Sequence, residues 1–139
     1  MTFDASFKQL IVASLKRAGI PVNASYKIGD LPLEIDLVID GLDTGKQQGY
    51  RGDMTPLVKY LTRTNIVEFK SKSDRLNKES YHRTLGYCCL YAAREKKDFG
   101  IINDLTVIFV TAATPKKVLE ELEKQVKITT VEQGVLVYR

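Results

Sequence analysis

A mixed α/β domain, with helices on the faces of one sheet, is the fold class this sequence predicts. Three observations lead there. Apolar side chains near the N-terminus recur at helical spacing, two later segments alternate like strands, and a nearly all-apolar run, Leu105 to Val110, lies between two helical stretches. The chain has 139 residues, the size of one ordinary domain, so residues 1–139 are expected to form a single unit. At 44% hydrophobic and 27% charged residues it can bury a core beneath an ordinary soluble surface.

Phe3, Phe7, Leu10, Ile11, Ser14, Leu15 and Ala18 form one helical face, with Lys8, Lys16 and Arg17 opposite, and Gly19 and Pro21 close the helix. Residues 25–29 suit a short strand. Leu33 to Asp40 (LEIDLVID) reads as a strand with Ile35, Leu37 and Ile39 on one face and Glu34, Asp36 and Val38 on the other. Residues 41–52, rich in glycine and polar side chains, read as a loop, or a hairpin that reaches a substrate or a second subunit. Residues 55–61 suit one helical turn, with Thr55 as cap and Pro56 at its first position.

Asn65 to Ser71 (NIVEFKS) is the next strand, with Val67 and Phe69 on one face and Ile66, Glu68 and Lys70 on the other. A basic loop, Lys72 to Lys78, leads into a helix over 79–97. Its core stripe is Tyr81, Leu85, Cys88, Cys89 and Ala92, flanked by Arg83, Tyr87 and Tyr91. The run Leu105 to Val110 suits a strand covered on both faces. Thr114-Pro115 opens a helix to about Gln125, and residues 126–131 and 135–138 form a hairpin around Glu132-Gln133-Gly134.

Composition narrows the function. No apolar run approaches the roughly 20 residues that span a bilayer, and Met1-Thr-Phe-Asp lacks the basic start and apolar run of a signal peptide. A cytoplasmic location without membrane contact is expected. The formal charge of +4 and pI near 9.0 suit a polyanionic partner, although no long Lys/Arg block occurs. Cys88 and Cys89 are adjacent, which a relaxed disulfide does not allow, and read as small core residues.

The chemical signal is charge inside strand cores. Asp36 sits among Ile35, Leu37, Val38 and Ile39, and Glu68 among Ile66, Val67 and Phe69. A carboxylate buried without a partner is costly, and a metal ion or a lysine offsets the cost. Residues two apart on a strand project to the same side, so Glu68 and Lys70 emerge together. If the two strands pair, Asp36 joins them. Two carboxylates and a backbone carbonyl make an oxygen-rich site suited to Mg²⁺ or Mn²⁺. Such an ion polarises a phosphoryl oxygen and acidifies a bound water, while Lys70 orients or deprotonates that water or stabilises developing charge. The plain alternative is an ion pair on an exposed strand.

At these residues the sequence resembles the PD-(D/E)XK nuclease superfamily, the restriction-endonuclease-like fold. Ile35-Asp36 matches the first acidic element, and Glu68-Phe69-Lys70 matches the E-x-K triplet on the next strand. The stretch from Thr64 to Ala93 is also similar to small uncharacterised bacterial proteins that carry N-I-I-E-[YF]-K-S before a helix with G-Y and a later Y. The resemblance implies an α-β-β-β-α-β core over residues 3 to about 114, followed here by the C-terminal helix and hairpin. It implies Asp36 and Glu68 as metal ligands, Phe69 as donor of its backbone carbonyl only, and Lys70 as the catalytic lysine. Some relatives support the site with Gln-xxx-Tyr on the following helix. Arg83 and Tyr87 occupy that spacing, and Arg83 in place of glutamine suits holding a phosphate. Others place an acid in the first helix, where Asp4 is the available residue and reads as a cap.

Lys72, Arg75 and Lys78 either contact phosphates or form a solvated loop, with Lys72 favoured by its phase with Glu68 and Lys70. Tyr87 and Tyr91 either stack on bases or pack on the sheet. Glu34 is a second ligand or a solvated edge residue, and His82 a surface or structural residue. The function expected is metal-dependent hydrolysis of phosphodiester bonds, as a DNA endonuclease. The alternative is an inactive nuclease-fold module that binds nucleic acid or a protein partner. A chain this short carries no separate recognition domain, so sequence specificity would call for a homodimer or a host complex.

Overall fold

A computed structural model describes residues 3–27, 34–50, 52, 54–125, 128–132 and 135–138. Helix α1 (Phe3–Arg17) ends at Gly19, whose φ of +74° is the left-handed turn that glycine adopts without steric cost. Its inner row is Phe7, Ile11 and Leu15, four residues apart, with Ile11 and Leu15 fully buried. Leu10 and Ala18, expected inward, are exposed, and Lys8, expected outward, is half-buried. The sheet meets one i, i+4 row rather than the whole apolar arc, so Leu10 falls on its shoulder. The side chains of Phe3 and Asp4 lie outside the described residues.

Strands β1 (Asn23–Lys27), β2 (Glu34–Asp40), β3 (Thr64–Lys70) and β4 (Leu105–Thr111) form a sheet in that order. Residues 28, 29 and 33 of the expected strands lie outside the described residues. β1–β2 and β2–β3 are antiparallel, whereas β4 joins β3 in parallel. Parallel neighbours need a crossover, here carried by helix α4 (Lys78–Arg94) and the short α5 (Ile101–Asp104). Every residue of β3 is buried, as a central strand covered on both faces requires. β4 differs from expectation: it is the sheet edge, and its seven residues are only half-buried.

The sheet separates two apolar clusters. Leu37, Ile39, Val67 and Phe69 pack with Ile11 and Leu15 on the α1 side. Val38 and Ile66 pack with Cys88 and Tyr91 on the α4 side. Ile35 was expected beside Leu37 and Ile39, yet it joins the α4-side cluster. The β1–β2 register skips the step between Ala24↔Leu37 and Tyr26↔Ile35, and Ser25 there has a φ of +56°. The strand alternation changes phase at that irregularity, next to Asp36.

Residues 41–52 are not simply a loop. Helix α2 (Thr44–Gly49) forms there because Asp43 caps it, its Oδ1 accepting from the Gly45 amide at 3.0 Å. Tyr50 is buried, and its hydroxyl lies 2.9 Å from Ser14 Oγ and accepts from the Met54 amide at 3.2 Å. This segment therefore closes the α1-side core instead of extending outward. The expected turn at 55–61 is the shorter helix α3 (Thr55–Val58), where the Thr55 hydroxyl donates back to the Gly52 carbonyl at 2.6 Å.

Helix α4 starts at a capping box. Asn77 Oδ1 accepts from the Ser80 amide at 2.8 Å, and Ser80 Oγ accepts from the Asn77 amide at 3.0 Å. Its buried stripe is Ser80, Thr84, Cys88 and Tyr91, while Cys89 is exposed. Tyr91 thus belongs to the core row rather than a flank. Helix α6 (Lys116–Leu122) buries Val118, and strands β5 (Ile128–Glu132) and β6 (Val135–Tyr138) form the expected antiparallel hairpin. Among the described residues, no helix is long and apolar enough to cross a membrane.

Candidate functional site

The β2–β3 ladder runs from Asp40↔Thr64 to Leu37↔Val67. One step further, the register sets Asp36 opposite Glu68, the juxtaposition that required these strands to pair. Side chains complete the ladder there. The Asp36 amide donates to Glu68 Oε1 at 3.1 Å, and the Phe69 amide donates to Asp36 Oδ2 at 2.9 Å. The Glu68 carboxylate is thus held by the amide of Asp36 itself, and the Asp36 carboxylate by the amide that follows Glu68.

Glu68 and Lys70 are 7% and 9% exposed. They leave β3 on the same side, as period-two geometry demands. Burial, then the charge on Asp36, pushes the Glu68 carboxyl up to about 7, against the opposing pull of the Asp36 amide and Lys70. Lys70 Nζ lies 3.4 Å from Asp74 Oδ2. Asp74 belongs to the turn after β3, which is closed by its own amide donating to Ser71 Oγ at 3.0 Å.

The Phe69 ring and its main chain face different neighbours. Its ring lies in the α1-side core, edge-on to Phe7 with centroids 6.1 Å apart. The Lys70 carbonyl accepts from the Ala112 amide on the β4 side at 2.9 Å. Peptide groups alternate along a strand, so the Phe69 carbonyl points back towards β2 and Asp36. Among the described residues, no third Asp, Glu, His or Cys side chain joins Asp36 and Glu68 to make a larger cluster. The donor set fits a divalent cation: two crowded carboxylates whose repulsion a cation relieves, with a carbonyl directed to the same place.

A second lysine stands here. Lys8 Nζ donates to Ser25 Oγ at 2.7 Å and lies 3.9 Å from Asp36 Oδ1. Helical periodicity assigned Lys8 to solvent. Its one sequence cue was a position beside Phe7 on the inward row. Asp74 was missed because only the fold of the 71–77 turn brings it back to Lys70.

The remaining candidates separate clearly. Glu34 pairs with Lys27 at 3.2 Å, and bonds to Ser25 and Lys27 hold its carboxyl below the usual range, so its partners lie on β1. β3 ends at Lys70, so Lys72 is not in phase with Glu68; it is exposed, and its carbonyl accepts from Arg75 Nε at 3.0 Å. Arg83 points along α4 to Glu79 at 2.9 Å. Tyr87 packs half-buried against the α4-side cluster. Tyr91 is buried, and its hydroxyl donates to Asp40 at 2.6 Å. His82 is exposed on α4. No family model matches this chain, and neither a curated relative nor a solved structure does.

Proposed function

We propose that this chain is a metal-dependent phosphodiester hydrolase acting on DNA, an endonuclease of the PD-(D/E)XK type. The observation that carries the reading is the convergence of Asp36, Glu68 and Lys70 at the open end of the β2–β3 ladder. Leaving aside the short helices α2, α3 and α5, the order α1, β1, β2, β3, α4, β4 also supports it, being the helix, three strands, helix, strand order that the resemblance implies. Asp36, Glu68 and the Phe69 carbonyl would hold Mg²⁺ or Mn²⁺, which when bound polarises a phosphoryl oxygen and lowers the pKa of a water. Lys70 brings a positive charge beside Glu68, placed to stabilise the anionic transition state. Asp74 holds the Lys70 ammonium from the loop side.

A second reading rests on Lys8. Its ammonium already faces Asp36, so a tethered cation stands where a metal ion would be drawn. That favours an inactive module of the same fold that binds nucleic acid. The two readings part in one assay. Cleavage of plasmid or branched DNA with Mg²⁺ or Mn²⁺ should fall at least ~100-fold in Glu68→Ala and in Lys70→Ala. Cleavage that persists in both variants would belong to a contaminant. Binding of DNA without metal-dependent turnover would select the second reading. Calorimetry with Mn²⁺, wild type against Asp36→Ala, tests the metal site directly, and no heat from the wild type would remove it.

A further inference from the structure

A cavity of about 1090 Å³ opens between the start of α4, the end of β4 and α6, with Lys70 among the residues that line it. Its charge is one-sided. Arg75, Lys78, Lys116, Lys117 and Lys124 border it, and Glu121 is the sole acid among the lining residues. Lys78 lies 3.7 Å from Glu121, so even that acid faces a cation. Between the charged groups, the half-buried Leu76, Tyr81 and Leu122 supply apolar surface. Tyr81 stands against Phe109, with ring centroids 5.9 Å apart, which fixes its ring at the β4 side.

We infer that this cleft binds an unpaired segment of nucleic acid, with the basic residues on its phosphates and the apolar surface against its bases. Duplex ends and flanks offer phosphates alone, because their bases remain stacked on one another. A cleft that pairs cations with apolar and aromatic surface matches a strand whose bases are open. At about 1090 Å³ the cavity stands at the upper end of the roughly 300–1,000 Å³ of small-ligand sites, and it opens to solvent, as a strand lying in it requires. Lys70 links it to the carboxylates, so a strand lying in the cleft would run past Asp36 and Glu68. The inference rests on the nuclease reading only for that last connection.

The test is anisotropy of a labelled single-stranded oligonucleotide and of its blunt duplex, in chelator, on the Glu68→Gln protein, where no turnover intrudes. The single strand should bind at least tenfold more tightly than the duplex. The triple change Lys116→Ala, Lys117→Ala, Lys124→Ala should weaken it about tenfold or more. The same change should flatten the salt dependence, whose slope is roughly −0.7 for each phosphate neutralised on a single strand. These lysines are exposed, and the circular dichroism melt should be unchanged. Equal or tighter duplex binding, unaltered binding by the triple variant, or no binding of either oligonucleotide would overturn the inference. Cleavage lost in the wild type with single-strand binding intact would count against hydrolysis alone.

Discussion

The β2–β3 pair carries a carboxylate at each end, and the two are treated in opposite ways. At one end Asp40 accepts from Thr64 Oγ1 at 2.8 Å and Tyr91 Oη at 2.6 Å, and pairs with Lys97 Nζ at 2.6 Å. Burial pushes its carboxyl up, but bonds from Lys97, Tyr91 and Thr64 outweigh burial and hold it below the usual range. At the other end Glu68 is more deeply buried and faces a second carboxylate, and its carboxyl rises. One end has its charge matched by the fold. The other keeps a negative charge that its neighbours leave partly unmet. A carboxylate of the first kind locks the fold, whereas one of the second kind is suited to work on something that arrives.

The comparison breaks first at Asp40. Asp40→Ala strands two hydroxyl donors and the Lys97 charge, and should lower unfolding free energy by about 3 kcal/mol in urea titration. A loss below about 1 kcal/mol would show that this end is not a lock. Glu68→Gln should act in the opposite direction. The folded carboxyl titrates above its unfolded value, so its contribution is fully present below the unfolded pKa and is lost as pH rises towards about 7. Glutamine keeps the carbonyl acceptor for the Asp36 amide and does not ionise. In chelator at pH 8 the variant should be more stable than wild type by about 2 kcal/mol, with the difference shrinking towards pH 4. Equal stability at both pH values would place Glu68 in a solvated setting.

Asp40 has the reverse profile. Its folded carboxyl lies below its unfolded value, so its stabilisation holds above the unfolded pKa and fades as pH falls through the folded one. Tyr91→Phe removes one donor to it and should cost about 1 kcal/mol in the same titration. The smallest effect concerns Lys8. Lys8→Met should tighten Mn²⁺ a few-fold by calorimetry, since a partly exposed ion pair is worth about 1 kcal/mol or less. Weaker Mn²⁺ binding would mean that Lys8 holds Asp36 in place instead of competing for it.

What the sequence made legible follows from how local each cause is. The shared side of Glu68 and Lys70 needed only the two-residue repeat of a strand. Asp36 needed one pairing, and the apolar strands around it made that pairing the natural one. Ile35 faces the α4 side where the β1–β2 pairing is interrupted beside Ser25, an irregularity that no spacing in the sequence marks. Lys8 was given to solvent because periodicity sorts lysine outward whatever lies below it. Asp40 went unnoticed because Thr64, Tyr91 and Lys97 meet it only through the tertiary fold. Helix α2 was hidden in a glycine-rich stretch whose helix depends on the Asp43 cap and on burial of Tyr50.

The parallel pairing of β3 with β4 has a consequence for folding. Lys27 pairs with Glu34 across a short connection, but Thr64 pairs with Leu105 only after all of α4 has been traversed. Closing that loop carries an entropic cost before any contact repays it. The β1–β2 pairing therefore costs less chain entropy to close than the β3–β4 pairing. While β4 is absent, one flank of β3 stands unpaired, with the Lys70 carbonyl among its open acceptors. A chain in which β4 had not docked would present that flank as an open strand edge, the kind that pairs with other chains.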